Sequence, residues 1–150
     1  MKNMKLFIWD FDGTLLDTYP NTTDYLRRAL ADFGHDVPQV EILEHMLNTR
    51  VDVTVRYYAE AFSLPELHAR YREYAAAEDT DPVQAFPDVK QVLARIREIG
   101  ADSYIFTNRG DTIYPLLERV GLAGEFKEIV TASSPYFKVK PAPDSILYLM

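Results

Sequence analysis

The pentapeptide Asp10-Phe11-Asp12-Gly13-Thr14 stands at the end of a short apolar run, Leu6-Phe7-Ile8-Trp9. In an extended chain, carboxylates two positions apart project to the same side, and such close like charges repel unless a cation or a shared proton intervenes. This pair is a poor component of a core. It suits the holding of magnesium, or a division of labour between a nucleophile and a proton donor. Gly13 permits the sharp turn that would end the strand. A calcium loop does not fit: its glycine belongs two positions further on, and its closing glutamate would fall on Asn21. A surface turn is the alternative for these five residues taken alone.

The elements that must position this pair follow from the apolar pattern. Leu6–Trp9 predicts a strand covered on both faces of a parallel sheet. Four helices are then predicted without an intervening strand over residues 20–77. The first, over 20–33, carries Tyr25, Leu26, Ala29, Leu30 and Phe33 on one face and stops at Gly34. The second opens at Pro38 with Ile42, Leu43, Met46 and Leu47, and the third carries Val51, Val55, Tyr58 and Phe62. Ser63-Leu64-Pro65-Glu66 has the form of a capping box and predicts a fourth helix running to about Ala77. Glu78-Asp79-Thr80-Asp81-Pro82 reads as a linker. Beyond it helices alternate with strands: a helix over 88–99 with Val89, Val92, Leu93, Ile96 and Ile99 inward, a strand over 103–107, a helix over 112–120, a strand over 128–131, and a helix after Asp144. Such alternation implies a parallel sheet with its ligand crevice beyond the C-terminal strand ends, where Asp10, Thr107 and the Lys140 loop would all fall.

Composition narrows the partners. At 150 residues, 47% hydrophobic and 26% charged, the chain has the material for one core with a small insertion. The net charge of −7 argues against nucleic acid or an anionic membrane as partner, and it requires any phosphate site to concentrate positive charge locally. The absence of cysteine excludes a disulfide scaffold and a thiol nucleophile. The apolar run after Met1-Lys2-Asn3-Met4-Lys5 is too short for a signal peptide or a membrane span, so a cytoplasmic protein is expected. His35, His45 and His68 show no ligand spacing.

Three separated pieces therefore converge: Asp10-Phe11-Asp12-Gly13-Thr14, Thr107-Asn108 after a later strand, and Lys140-Pro141 before the last helix. Together they resemble the haloacid dehalogenase-like (HAD) hydrolase superfamily. The extended string through Leu15-Leu16-Asp17-Thr18 resembles its phosphoglycolate phosphatase and β-phosphoglucomutase branch. The resemblance implies an α/β fold with a Rossmann-like parallel-sheet core formed by residues 1–16 and 83–150, and an inserted α-helical cap over residues 17–82. It implies a Mg²⁺-dependent hydrolase, a phosphatase that acts on a small phosphorylated metabolite through an aspartyl-phosphate. In this reading Asp10 attacks phosphorus, and Asp12 protonates the leaving alcohol and then deprotonates water. Thr107 donates its hydroxyl to a phosphoryl oxygen, and Lys140 supplies positive charge. The family places its metal between the Asp10 carboxylate and the Asp12 main-chain carbonyl. Thr14 and Asn108, in the same motifs, are expected at the substrate, with Arg109 and Arg50 as candidates for its distal group.

The departure from the family pattern lies at the C-terminus. The family carries a further acidic pair that completes its metal site, and the sequence given stops at Leu147-Tyr148-Leu149-Met150, in the helix that should precede it. The expectation is therefore either a fragment of a longer enzyme or a truncation with weakened metal binding, open to self-association through an incomplete sheet. The alternatives to a phosphatase are a non-catalytic fragment or phosphate-binding module, or a sugar-phosphate mutase.

Overall fold

The computed structural model describes residues 5–77, 83–135 and 137–150. The predicted linker at 78–82 lies outside the described residues. The chain divides into two compact units, one built from Met1–Asp17 and Val83–Met150, the other from Thr18–Pro82.

The first unit is α/β. Strands β1 (Leu6–Trp9) and β2 (Leu16–Asp17) precede the helical unit in sequence, and β3 (Gln84–Ala85), α5 (Val89–Glu98), β4 (Asp102–Phe106), α6 (Ile113–Arg119), β5 (Glu128–Val130) and α7 (Asp144–Leu149) follow it. β1, β4 and β5 form a parallel sheet in the order β1-β4-β5. β4 lies between its partners, and the pleat sends its residues to two cores. Ile105 packs with Leu93, Ile113, Leu116 and Leu117 on one face. Tyr104 and Phe106 pack with Val130 and Leu149 on the other. Helices therefore cover both faces, as a parallel sheet requires.

Register delivers the strand ends together. Trp9 pairs with Ile105 and Phe106 with Val130. Asp10 thus leaves β1 level with Phe106, and Thr107 and Thr131 leave their strands side by side, with the Thr107 N–H donating to the Val130 carbonyl at 3.0 Å. Gly13 has φ +70° in the turn after β1, where its N–H donates to the Leu16 carbonyl at 2.9 Å. A side chain would strain that left-handed conformation.

The second unit is helical: α1 (Tyr19–Asp32), α2 (Gln39–Asn48), α3 (Val51–Ala61) and α4 (Leu67–Ala76). Leu26, Ala29, Leu30, Ile42, Met46, Val55, Tyr58 and Leu67 form its core. His45 Nδ1 lies 2.9 Å from Thr54 Oγ1, which is fully buried, and Tyr58 donates its hydroxyl proton to Glu41 Oε1 at 3.2 Å.

Several expectations are corrected. β1 is not buried on both faces: Phe7 is exposed, and its other three residues are half-buried. The reason is position, since β1 has β4 on one side and no strand partner on the other among the described residues. Val92 and Ile99, expected inward, are exposed, as is Leu47, while their neighbours Leu93, Ile96 and Met46 are buried. A helix needs only a stripe to reach its core, and these side chains fall outside it. The capping box does not form. Ser63 has φ +57° and closes α3 instead, its N–H donating to the Glu60 carbonyl and the Leu64 N–H to the Ala59 carbonyl. This left-handed closure uses the residue that would have capped α4, whose N-cap is Glu66. The two-residue strands β2 and β3, which pair antiparallel, were not anticipated.

Candidate active site

Six of the residues singled out from the sequence gather where β1 and β4 end. Asp10 follows β1 directly, and Lys140, on the loop before α7, reaches it: Lys140 Nζ donates to Asp10 Oδ1 at 2.5 Å. The ammonium also lies 4.9 Å from the centre of the Phe106 ring, whose electron-rich face favours a cation. The Lys140 N–H donates to Asn108 Oδ1 at 3.2 Å, tying the Lys140 loop to the loop after β4.

Asp12 has a different partner. Arg109 Nε donates to both Asp12 oxygens, at 3.0 and 3.2 Å, and its Nη2 donates to Oδ1 at 2.8 Å. The guanidinium is further held by Thr112 Oγ1 at 3.1 Å and lies 5.7 Å from the Phe11 ring centre. The Arg109 main-chain N–H donates to Thr107 Oγ1 at 3.0 Å. That contact uses the hydroxyl as acceptor and leaves its own proton to donate elsewhere. Thr107 is buried.

The electrostatic pattern is two carboxylates, each matched by one cation. Four formal charges sum to zero in a chain whose net charge is −7. This is how an acidic protein can present a locally neutral surface to an anion. The loop after β5 abuts the same end: the Ala132 N–H donates to the Arg109 carbonyl at 2.9 Å, and Thr131 Oγ1 lies 3.4 Å from Asp111 Oδ1. Beside α7, Lys138 pairs with Asp144 at 2.7 Å, and its hydrogen bond holds that carboxyl below the usual range.

Thr14 lies exposed in the turn after Gly13. Arg50 belongs to the helical unit, where it is the N-cap of α3 and forms a two-pronged pair with Asp52, both contacts at 3.1 Å. The pairing of Arg109 with Asp12 was not foreseen. The one available signal was an arginine two residues past Thr107, on a loop already expected at the strand ends.

The donor set suits a hard cation. The Asp10 carboxylate and the Asp12 carbonyl are oxygen donors, and magnesium is commonly held by one or two carboxylates with water and substrate phosphate completing its shell. Among the described residues, no group of three or more His, Cys, Asp or Glu side chains gathers to hold a metal ion.

A parallel sheet covered by helices, with an Asp-x-Asp turn, a threonine and a lysine at its strand ends, is the pattern of one family of hydrolases. Residues 7–150 match the haloacid dehalogenase-like hydrolase family, and the chain belongs to it. Among its relatives, the phosphoglycolate phosphatase of Aliivibrio fischeri is 26% identical over 160 residues, covering 99% of this chain and 70% of that protein. The phosphoglycolate phosphatase of Pseudomonas putida is 25% identical over 155 residues, covering 97% of this chain and 57% of that protein. A hydrolase from Streptococcus pneumoniae TIGR4 has a similar crystal structure, with a TM-score of 0.65 and 31% identity over 97% of this chain and 75% of that one.

Proposed function

We propose that the chain carries the machinery of a phosphatase that hydrolyses a small-molecule phosphate monoester through an aspartyl-phosphate. The observation that carries this reading is the convergence of Asp10, Asp12, Thr107 and Lys140 at one end of the sheet, with a cation on each carboxylate. The relatedness to phosphoglycolate phosphatases supports the same chemistry.

Phosphate monoesters hydrolyse extremely slowly without a catalyst, so a placed nucleophile and charge neutralisation must supply most of the acceleration. An Asp10 oxygen attacks phosphorus, and the bond from phosphorus to the ester oxygen breaks. Asp12, having taken up a proton from solvent, gives it to the departing alkoxide, which leaves as the alcohol. Asp12, now a base, takes a proton from water as the water oxygen attacks the aspartyl-phosphate, and inorganic phosphate leaves with Asp10 regenerated. Lys140 and the Thr107 hydroxyl stabilise the charge on the transferring phosphoryl oxygens. Mg²⁺ held by the Asp10 carboxylate and the Asp12 carbonyl would supply further neutralisation of the nucleophile and its anionic target.

A second reading is phosphate binding without turnover, for which Lys140 and the Thr107 hydroxyl would serve equally well. Phosphate release from p-nitrophenyl phosphate in the presence of Mg²⁺ separates the two. The phosphatase reading expects turnover in the unaltered chain and its loss in Asp10→Asn, which preserves shape but removes the nucleophile. Turnover that survives this substitution refutes the role given to Asp10.

A further inference from the structure

Arg109 makes more described contacts than any other cation at the strand ends. Three of its N–H···O contacts reach one carboxylate, a fourth reaches Thr112, and its main-chain N–H is bonded to Thr107. Its side chain is only 15% exposed, against 31% for both Asp12 and Lys140. The groups that hold it are themselves fixed: Phe11 is fully buried in the sheet core, and Thr112 is the N-cap of α6. The guanidinium is thus a rigid fork set before any ligand arrives, and a planar fork of this kind imposes an orientation on a carboxylate that a point charge does not.

We propose that Arg109 is a positioning residue that acts through Asp12. Its fork fixes the rotamer of the proton-transferring carboxylate relative to Asp10, so that the leaving oxygen and later the water meet Asp12 in one geometry. This rests on the phosphatase reading and revises the expectation that Arg109 serves a distal group of the substrate. Proton transfer demands hydrogen-bond reach, and a misplacement of about 1 Å costs on the order of 100-fold in rate. In the first transfer the effect should be selective, because only a poor leaving group needs the proton, whereas the later attack of water is common to every ester. Ethyl phosphate expels an alkoxide and depends on Asp12, whereas p-nitrophenyl phosphate expels a stabilised phenolate and depends on it far less.

The test compares the two esters in the full chain carrying Arg109→Gln, Asp12→Asn or both. The expected result is a fall on the order of 100-fold in the first-turnover rate of ethanol release from ethyl phosphate in Arg109→Gln. For p-nitrophenyl phosphate the first-turnover release of nitrophenolate should change by less than about tenfold, leaving-group protonation being nearly dispensable there. In the Asp12→Asn background, Arg109→Gln should cost nothing more, since residues acting as a unit are not additive. Arg109→Lys keeps the charge without the fork and should show the same selectivity at smaller amplitude, which covers a glutamine variant that does not fold. Equal losses for both esters in that first-turnover rate, no loss for either, or additive losses would overturn the proposal. A crystal structure of either variant gives a readout independent of activity: Asp12 should leave its present position while the pair of Asp10 and Lys140 persists. An unmoved Asp12 would overturn it as well. An unaltered chain that turns over neither ester counts against the phosphatase reading and removes the catalytic half of the proposal, whereas the position of Asp12 still decides whether the arginine holds it.

Discussion

Asp12→Asn should destabilise the α/β unit more than Asp10→Asn, although both remove one negative charge from the same pair. Exposed ion pairs are worth roughly 0.2–1 kcal/mol, and removing one partner of a fully buried pair costs roughly 3–5 kcal/mol. The Arg109–Asp12 pair, with side chains 15% and 31% exposed, lies between these limits. Asparagine can still accept one hydrogen bond through its oxygen, but its amide would face the fork donor to donor. A cost of about 1.5–2 kcal/mol follows from interpolating between the two limits. The Asp10 side chain is 46% exposed and receives one contact from a lysine that is 31% exposed. Its loss should cost about 0.5 kcal/mol, in the range of surface pairs. Relief of the mutual repulsion of Asp10 and Asp12 is common to both substitutions, so the sharper quantity is their difference, about 1 kcal/mol. Trp9, the single tryptophan, reports on this unit alone: it packs against the sheet core and donates Nε1–H to Ser103 Oγ at 3.2 Å. Urea unfolding followed by its fluorescence should place the Asp12→Asn midpoint below that of Asp10→Asn with unchanged slope. In high salt the smaller Asp10 effect should fade first, exposed charges being the better screened. An Asp10→Asn variant that loses as much as Asp12→Asn would show that the fork contributes nothing beyond an ordinary surface pair.

The α/β rhythm and the strand-end position of Asp10 and Asp12 were legible because each rests on an abrupt local change, an apolar run broken by a carboxylate or a strand broken before a helix, whereas Thr107 and Lys140, unremarkable alone, were drawn in only by their joint placement with the first motif. What escaped was set by partners distant in sequence. Arg109 and Asp12 are 97 positions apart, so no local pattern couples them. β2 and β3 have two residues each, too few for any periodicity to register, and they exist because the chain brings them together. The half-exposure of β1 depends on which strands flank it, a property of sheet order that Leu6–Trp9 does not encode. At Ser63 two local rules competed, one for starting a helix and one for ending the previous helix. The carbonyls of α3 hold the chain there, through the N–H groups of Ser63 and Leu64.

In the helical unit, burial and the neighbouring Glu41 carboxylate push the Tyr58 hydroxyl up to about 12, from an ordinary value of 10.0. The folded unit keeps this proton longer than the unfolded chain, so its stability should be undiminished below pH 10 and fall between pH 10 and 12. Far-ultraviolet dichroism of unaltered and Tyr58→Phe chains should show this alkaline fall shrinking in the variant; an identical fall in both would mean that Tyr58 does not carry it. Ile105→Ala, at a fully buried position in the middle strand, should cost about 2–5 kcal/mol in the transition reported by Trp9, and a smaller loss would show that the sheet core closes over the cavity. The last expectation concerns Lys140. Its ammonium, 2.5 Å from Asp10 Oδ1, already balances the carboxylate that would also bind Mg²⁺, so the two cations would compete for one anion and repel each other. At about 4 Å this repulsion would be several kcal/mol in a half-shielded site, and the 31% exposure of the lysine side chain reduces it to about 1 kcal/mol. Lys140→Met, which keeps the stem but removes the charge, should therefore bind Mg²⁺ roughly five- to tenfold more tightly while losing phosphate turnover. Titration calorimetry with MgCl₂ checks the first half and phosphate release the second. A variant that binds magnesium no better than the unaltered chain would place the metal away from Asp10, and the lysine would then balance the carboxylate without competing for it.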